Sequence, residues 1–534
     1  VAWSWREQET ADRPEKSRSP RRSRRNTKKN NDEEGCSVTI GLIRGGDSGT
    51  PTIFLKPFVP SVFFVGQMPD SGSGEAAVPN PGAGLAVVAG SQRWTPAVLE
   101  ARVRRRVVDL GSQGLAAGEL VLVPEAAPLD LLIMQHALVR LACGLFPVPA
   151  RQSGSELERA AGSAGVEWLW RPDQSGSGRL EPTGQSGAVT PGRSVRAALL
   201  VETSGSEGEP KAVMLTRENL TASARLVNAR LGLRAGDVWL SCLPRHHVGG
   251  LMIAYRCAQA GATLLLHEGF DAAAVTRDLV QERVTHLSLV PPMLARLMEV
   301  AEAPPPGLRV LLIGGQALGS ALAREALAAG WPLHVTYGMT ETASQVATSS
   351  LLESPPSDGL VGPVLPGVRV RCGGTARAPA RIRLRGGVVM AGYASPERLP
   401  GVGLEDGWFL TSDLGYLTAG GALAVLGRAD DVLMIGGEAV LASRVEERLS
   451  TLPGLDSLAV LGVPDPVWGH RLVAVYTGAL GPEAVDGWCR QHVLGPLRPR
   501  ELRRLDRLPV LASGKPDRRA IRRMLAGRER ADSP

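Results

Sequence analysis

Along most of the chain, short apolar runs alternate with stretches whose apolar residues recur every third or fourth position. That alternation predicts strands interleaved with amphipathic helices. Leu85–Val88 reads as a strand, and Pro96–Leu110 as a helix with Val98, Leu99, Val103 and Val107 on one face. Leu120–Val123 is a strand, Pro128–Leu145 a helix, Phe146–Pro149 a strand and Leu157–Ala164 a helix before the run Val166–Trp170. Residues 171–195 are polar and Gly/Ser-rich, a surface loop. Ala197–Val201 is a buried strand, and Thr216 and Asn219 flank a helix over Leu220–Leu231. The alternation continues through strands at Asp237–Cys242, Ala262–Leu266, Val284–Val290, Leu308–Ile313 and Leu333–Thr336. Helices at Leu251–Gln259, Ala272–Gln281, Met293–Val300 and Leu322–Ala329 separate them.

From Gly359 the texture changes to short strands and frequent turns, with runs at Val368–Arg371, Ala380–Leu384, Val388–Met390 and Leu423–Leu426. A final unit holds helices at Ser443–Leu449 and Val485–His492, strands at Ser457–Val463 and Leu472–Tyr476, and an Arg-rich terminal helix. The expected class is α/β: a large N-terminal domain of parallel αβ subdomains with a small β-rich subdomain, followed by a small α+β C-terminal domain. The expected bounds are 85–428 for the large domain and 429–528 for the small one. Residues 1–84 read as a disordered or mis-assigned extension, rich in Arg, Ser and Pro; Val1 stands in place of Met, and Met68 offers an alternative start.

Composition adds little to that picture. With 534 residues, two or more domains are required. The net charge of +7 is concentrated in the basic head, so it does not argue for a nucleic-acid partner of the folded part. The 6 cysteines are scattered with no CxxC pair, as in a reduced, cytoplasmic protein without a zinc site. No apolar run is long enough to span a membrane.

The candidate chemistry lies in loops that follow strands. Thr203-Ser204-Gly205-Ser206-Glu207-Gly208-Glu209-Pro210-Lys211 combines glycines, hydroxyls and a lysine, as an anion cradle does. It is not a Walker loop, because Pro210 precedes Lys211 and Ala212 follows it; alone, it could equally be a linker. Further loops follow strands at 244–250 (PRHHVGG), 314–316 (Gly314-Gly315-Gln316) and 337–345 (YGMTETASQ). Ligands of open α/β sheets bind beyond the carboxyl ends of strands, so these loops are expected to meet at one cleft.

In this order, these loops resemble the acyl-adenylate-forming superfamily over roughly residues 85–525. LPRHHVGG, VTHLSLVPPML and YGMTETASQ are most similar to its o-succinylbenzoate–CoA ligase family. The resemblance implies ATP, Mg²⁺ and coenzyme A, a carboxylate that becomes an acyl-AMP, and a C-terminal domain that rotates between half-reactions. By the same resemblance, Thr203, Ser204, Gly205, Ser206, Gly208 and Lys211 hold the outer phosphates, and Gly314, Gly315, Gln316 and Tyr337 line the adenine pocket. Thr340 touches the α-phosphate, Glu341 binds the metal, and Asp413 takes the ribose hydroxyls with Arg428 beside it. Asp430 is the hinge, and Lys515 enters the site as the catalytic cation.

For the acyl group the resemblance points to His247, Arg256, Gly338, Ser344 and Gln345, with Arg256 open to being a surface residue instead. His246 is expected to pack. Two positions depart from the pattern: Ser412 replaces the Gly of Thr-Gly-Asp, and AlaValLeuAla at 439–442 replaces AsnIleTyrPro near the coenzyme A path. The implied activity is formation of an acyl-CoA from 2-succinylbenzoate, in menaquinone biosynthesis. Alternatives are another acyl- or aryl-CoA ligase, an enzyme that loads a carrier protein, or a non-catalytic nucleotide binder. The partners are small molecules, with neither nucleic acid nor membrane, and the resemblance allows a homodimer.

Overall fold

The computed structural model describes residues 85–529, apart from 125–126, 151, 174–177, 186–194, 204–209, 436–437, 494 and 511–515. Among the described residues, strands form four sheets, two of which carry the large domain. In one, Val238–Ser241, Thr263–Leu266, His286–Leu289, Val310–Ile313 and Leu333–Met339 run parallel, joined by Ala86–Ala89. In the other, Leu120–Pro124, Gly144–Val148, Trp168–Pro172 and Leu199–Thr203 run parallel. Antiparallel strands close the edges of both.

Parallel sheets need cover on both faces, and the helices supply it in layers. Pro128–Arg140 buries every residue from Leu131 to Leu138, and Val248–Ala260 is buried nearly all round. A helix that is apolar on all sides belongs inside. These two, with Arg217–Leu231, share one core with Leu199, Val201, Val213 and Leu215 of one sheet and Trp239, Leu264 and Leu312 of the other. They therefore lie between the sheets. Gly154–Ala164 covers the outer face of one sheet through Leu157 and Ala160. Ala272–Gln281, Pro291–Met298 and Ser320–Ala328 cover the outer face of the other.

A third, antiparallel sheet joins Leu360–Pro363, Arg369–Arg371, Ala380–Arg385, Phe409–Leu417 and Ala422–Arg428, as the turn-rich texture predicts. The fourth belongs to the C-terminal unit. Its long hairpin Leu455–Asp465 with Gly469–Gly478 alternates its side chains between two cores. Val460, Leu472, Ala474 and Tyr476 face the helices Ala442–Leu449 and Pro482–His492. Leu461, Val473 and Val475 face Ile521 and Leu525 of Arg518–Glu529.

Several local expectations need correction. The helix from Pro128 stops at Arg140, not Leu145. Ala142 takes φ +54 and turns the chain, with Cys143 N–H donating back to Leu138 at 2.8 Å, so Leu145 is strand. The stretch 171–195 is not all loop: Gly178–Pro182 pairs antiparallel with Trp168–Pro172. Val388–Met390 is a turn, and the strand there is Gly392–Tyr393. Lys211–Leu215 is an additional strand, hydrogen-bonded to Leu199–Thr203.

Candidate active site

Four neighbouring parallel strands end on the same side of one sheet: Val238–Ser241, His286–Leu289, Val310–Ile313 and Leu333–Met339. Val238–Ser241, Val310–Ile313 and Leu333–Met339 lead into the segments that the sequence singles out at 244–250, 314–316 and 337–345, of which 337–339 is still strand; His286–Leu289 runs directly into the helix Pro291–Met298. The loop 203–211 comes from the other sheet. Its ends, Thr203 and Lys211, face each other in register, and Thr203 Oγ1 donates to the Lys211 carbonyl at 3.1 Å. Ser204, Gly205, Ser206 and Gly208 lie outside the described residues, as does Lys515. The strand begun by Lys211 packs on the turn Thr340–Thr342, so the two sheets meet at this point.

Tight backbone packing shapes the loops. At Gly314 a Cβ would lie 2.8 Å from Thr336 Cγ2, so the neighbouring strand leaves little room for a side chain there. Gly338 is more constrained: a Cβ there would fall 1.7 Å from the Ser344 carbonyl oxygen. The chain doubles back at Ala343 (φ +47) and Ser344 (φ +102), two successive non-glycine residues in the left-handed region. Such backbone strain, of order 1–3 kcal/mol per residue, concentrates at functional turns.

Glu341 is half-buried in that turn, with Thr340 half-buried beside it. Its Oε1 accepts from the Tyr393 hydroxyl at 2.8 Å, and no cation among the described residues is paired with it. Among the described residues there is no cluster of three metal-ligating side chains. A single carboxylate would suit Mg²⁺ bound with a phosphate substrate, since that ion keeps several waters and takes its other ligands from phosphate.

Tyr337 and Asp413 form a second pair. The Tyr337 hydroxyl donates to Asp413 Oδ2 at 2.6 Å, and Arg428 Nη1 lies 3.7 Å from Oδ1. Burial, reinforced by that carboxylate, pushes the Tyr337 phenol well above its ordinary range. Asp413 and Arg428 face each other across adjacent strands, and Arg428 also bonds Asp430 at 2.9 Å. Asp430 sits in the turn Ala429–Asp431, where the chain passes from the third sheet into the C-terminal unit. Ser412, where Thr-Gly-Asp has its glycine, sits in the strand Phe409–Leu417 at an irregularity, where the pairing with Ala380–Arg385 shifts register between Leu410 and Leu414.

Of the acyl candidates, Arg256 and Ser344 are in direct contact, while His247 stands at the far end of the helix that carries Arg256. His247 is exposed at the start of the helix Val248–Ala260. His246 is half-buried, and the two rings lie 4.3 Å apart, tilted by 53°. Arg256 is not a surface residue: it is 1% exposed. Its Nη2 donates to Ser344 Oγ at 2.9 Å, and its guanidinium lies 5.3 Å from the Trp239 ring centroid. No carboxylate among the described residues pairs with it, and burial draws it down to about 10, leaving it charged at neutral pH. Nε of Arg256 and Nε2 of Gln345 are both buried without a hydrogen-bond partner among the described residues. Gln345 Oε1 is held by Thr348 at 2.6 Å, which fixes the amide. Sequence reasoning did not single out Tyr393, which lies in a Gly-Tyr pair with no distinctive motif around it.

The loops at the carboxyl ends of these strands thus bring together a half-buried carboxylate at Glu341, the Tyr337–Asp413–Arg428 group and the buried cation Arg256, a set that suits an enzyme of nucleotide-dependent carboxylate activation. Residues 75–394 match the AMP-binding enzyme family and residues 444–515 its C-terminal domain, and the chain belongs to that family. It is 36% identical over 327 residues to the 2-succinylbenzoate–CoA ligase of Bacillus licheniformis, covering 60% of this chain and 68% of the relative. The enzyme of that name from Listeria monocytogenes is 32% identical over 338 residues, covering 61% of this chain and 70% of the relative. The fold superposes on o-succinylbenzoate coenzyme A synthetase from Bacillus subtilis, solved with ATP and magnesium ion, at TM-score 0.72 and 27% identity. That match covers 82% of this chain and 96% of the other. The same enzyme with its acyl-adenylate intermediate matches at TM-score 0.71 and 27% identity, over 82% and 94% of the two chains.

Proposed function

We propose that this protein uses ATP to convert 2-succinylbenzoate into its acyl-AMP and then into the coenzyme A thioester, as a step of menaquinone biosynthesis. The observation that carries the choice of acid is Arg256. A buried cation without an anion is costly, and a ligand carboxylate repays that cost. 2-Succinylbenzoate has two carboxylates. One reacts, and the other would meet Arg256 Nε and the Gln345 amide, both buried donors in want of an acceptor. Ser344, bonded to Arg256, and Gly338, opposite Gln345 in register, would complete that wall, and His247 would act at its entrance.

In the first step a carboxylate oxygen bonds to the α-phosphorus and the bond to pyrophosphate breaks. The carboxylate is already ionised at neutral pH, so no base is required of His247. The work is positioning and charge stabilisation. Lys211, with the Thr203–Gly208 segment, would hold the departing phosphates, and Thr340 the α-phosphate. A bound magnesium ion, held by Glu341, would neutralise phosphate charge. Asp413 would accept the ribose hydroxyls, with Arg428 alongside, and Gly314, Gly315, Gln316 and Tyr337 would line the base. Lys515 would stabilise the developing charge. In the second step the thiol of coenzyme A attacks the acyl carbon, loses its proton, and AMP departs.

We assign 85–428 as the large domain and 429–528 as the small one that turns about Asp430 between steps, with 1–84 outside the enzyme core. The partners are small molecules in the cytoplasm, and a homodimer is compatible with this reading. Pyrophosphate release measured over a panel of acids, with and without coenzyme A, tests it. 2-Succinylbenzoate should exceed benzoate and fatty acids by a wide margin. Equal rates would remove the substrate assignment and leave the ligase, whereas no release with any acid would remove both.

A further inference from the structure

The structure brings the Tyr393 side chain against both Glu341 and Lys211. Gly392–Tyr393 is a two-residue strand paired with Val213 and Met214, two and three residues beyond Lys211. The Tyr393 hydroxyl donates to Glu341 Oε1 at 2.8 Å, and Lys211 Nζ lies 5.6 Å from the ring centroid, over its face. Three residues earlier, Met390 N–H donates to the Glu341 carbonyl at 2.8 Å. One short segment thus grips Glu341 at both its backbone and its carboxylate.

That segment is itself held firmly. Ala391 and Ala394 N–H groups donate to Met214 and Ala212, and Tyr393 N–H donates to Val402. The ring lies edge-on to Phe409, with centroids 6.5 Å apart, and rests on bare backbone at Gly403, where a Cβ would come within 2.5 Å of it. Further along, Arg398 is fully buried, with a backbone φ of +51. It donates to the Gly118 and Gly165 carbonyls and pairs with Glu167, pinning the segment to the sheet on the far side.

Resting on the reaction proposed above, we infer that Tyr393 is a positioning residue for the metal and phosphate site. Its hydroxyl fixes the Glu341 carboxylate in one orientation, leaving the other oxygen to the metal. Its ring face carries the Lys211 ammonium, an attraction typical of a cation over an aromatic ring. The carboxylate and the ammonium are thereby set at a fixed separation along one triphosphate. A partner that orients a metal ligand typically contributes 10- to 100-fold to metal affinity.

Tyr393→Phe keeps the ring and removes the hydroxyl. Two measurements read the result: Mn²⁺ binding followed by electron paramagnetic resonance with ATP present, and the Mg²⁺ dependence of pyrophosphate release. Both midpoints should rise about tenfold, and raising Mg²⁺ should recover much of the lost rate. Tyr393→Leu, which also removes the ring, should in addition weaken ATP binding measured without divalent metal, a defect that Tyr393→Phe does not share. Unchanged metal midpoints in Tyr393→Phe would overturn the inference, as would a loss of rate that Mg²⁺ cannot recover. The Mn²⁺ titration needs no turnover. It therefore still judges Tyr393 if no carboxylate proves to be a substrate.

Discussion

The Tyr337 hydroxyl donates to Oδ2 of Asp413 across 2.6 Å, joining a strand of the large parallel sheet to one of the antiparallel sheet 76 residues further on. The bond orients the carboxylate assigned to the ribose, and burial keeps the phenol protonated so that it has a proton to donate to Asp413. A hydrogen bond to a charged group contributes about 1.5–3 kcal/mol. Tyr337→Phe should therefore raise the KM for ATP by roughly tenfold or more, with the KM for the acid little changed. Steady-state pyrophosphate release at varied ATP checks this, and an unaltered ATP KM would contradict it.

Arg256 distinguishes a reader of substrate from a structural cation. Arg256→Met removes a buried charge that no carboxylate in the described protein offsets, so melting temperature should hold or rise. The kcat/KM for 2-succinylbenzoate should fall by about 100-fold, equivalent to a lost buried ion pair of a few kcal/mol. A monocarboxylic aromatic acid should lose far less. Equal losses for both acids would remove Arg256 from substrate recognition.

Much of this arrangement could be read before the structure, for physical reasons that differ from place to place. The strands Val310–Ile313 and Leu333–Met339 are apolar runs that empty into glycines, and both were legible. Lys211–Leu215 was not, because a charged residue and a following helix cap disguise its apolar core. The end of the helix at Arg140 was hidden too, since Ala142 carries no sign of its left-handed backbone. Glu341 and Asp413 lie in distinctive motifs, whereas Tyr393 acquires its place from pairing with a distant strand. The burial of Arg256 was equally invisible, since a lone arginine on a helix ordinarily points to water.

Lys515, outside the described residues, belongs to a segment whose flanks Val510 and Pro516 pair as an antiparallel bridge. Lys515→Ala should slow acyl-AMP formation by about 10²–10³-fold, the usual loss for one preorganised charge donor. Conversion of supplied acyl-AMP to thioester should stay near the parent rate. Parallel loss in both half-reactions, each followed by single-turnover kinetics, would exclude a role confined to adenylation.

Two buried histidines set a pH limit on stability. Burial pulls His136 and His286 down to about 4, so the folded protein holds them neutral where the unfolded chain, near 6.5, takes up a proton. Their contribution is fully present above about 6.5 and is lost as pH falls through 6.5 toward 4. At pH 5 each should cost about 2 kcal/mol. Melting temperature should drop between pH 7.5 and 5, and His286→Gln should reduce that drop. An equal drop in the variant would show that His286 is not a source.

The fit of Gly338 against the Ser344 carbonyl has an evolutionary consequence. If the acid binds as proposed, a descendant of this chain cannot narrow or reshape its acyl cleft by enlarging residue 338, because the obstacle is its own main chain and exists before any acid arrives. Change of substrate is channelled instead to side chains that leave the turn alone, above all those at 256 and 345. Enzymes that keep the glycine and differ at those two places could share one ATP machinery while sorting themselves by the acid they accept.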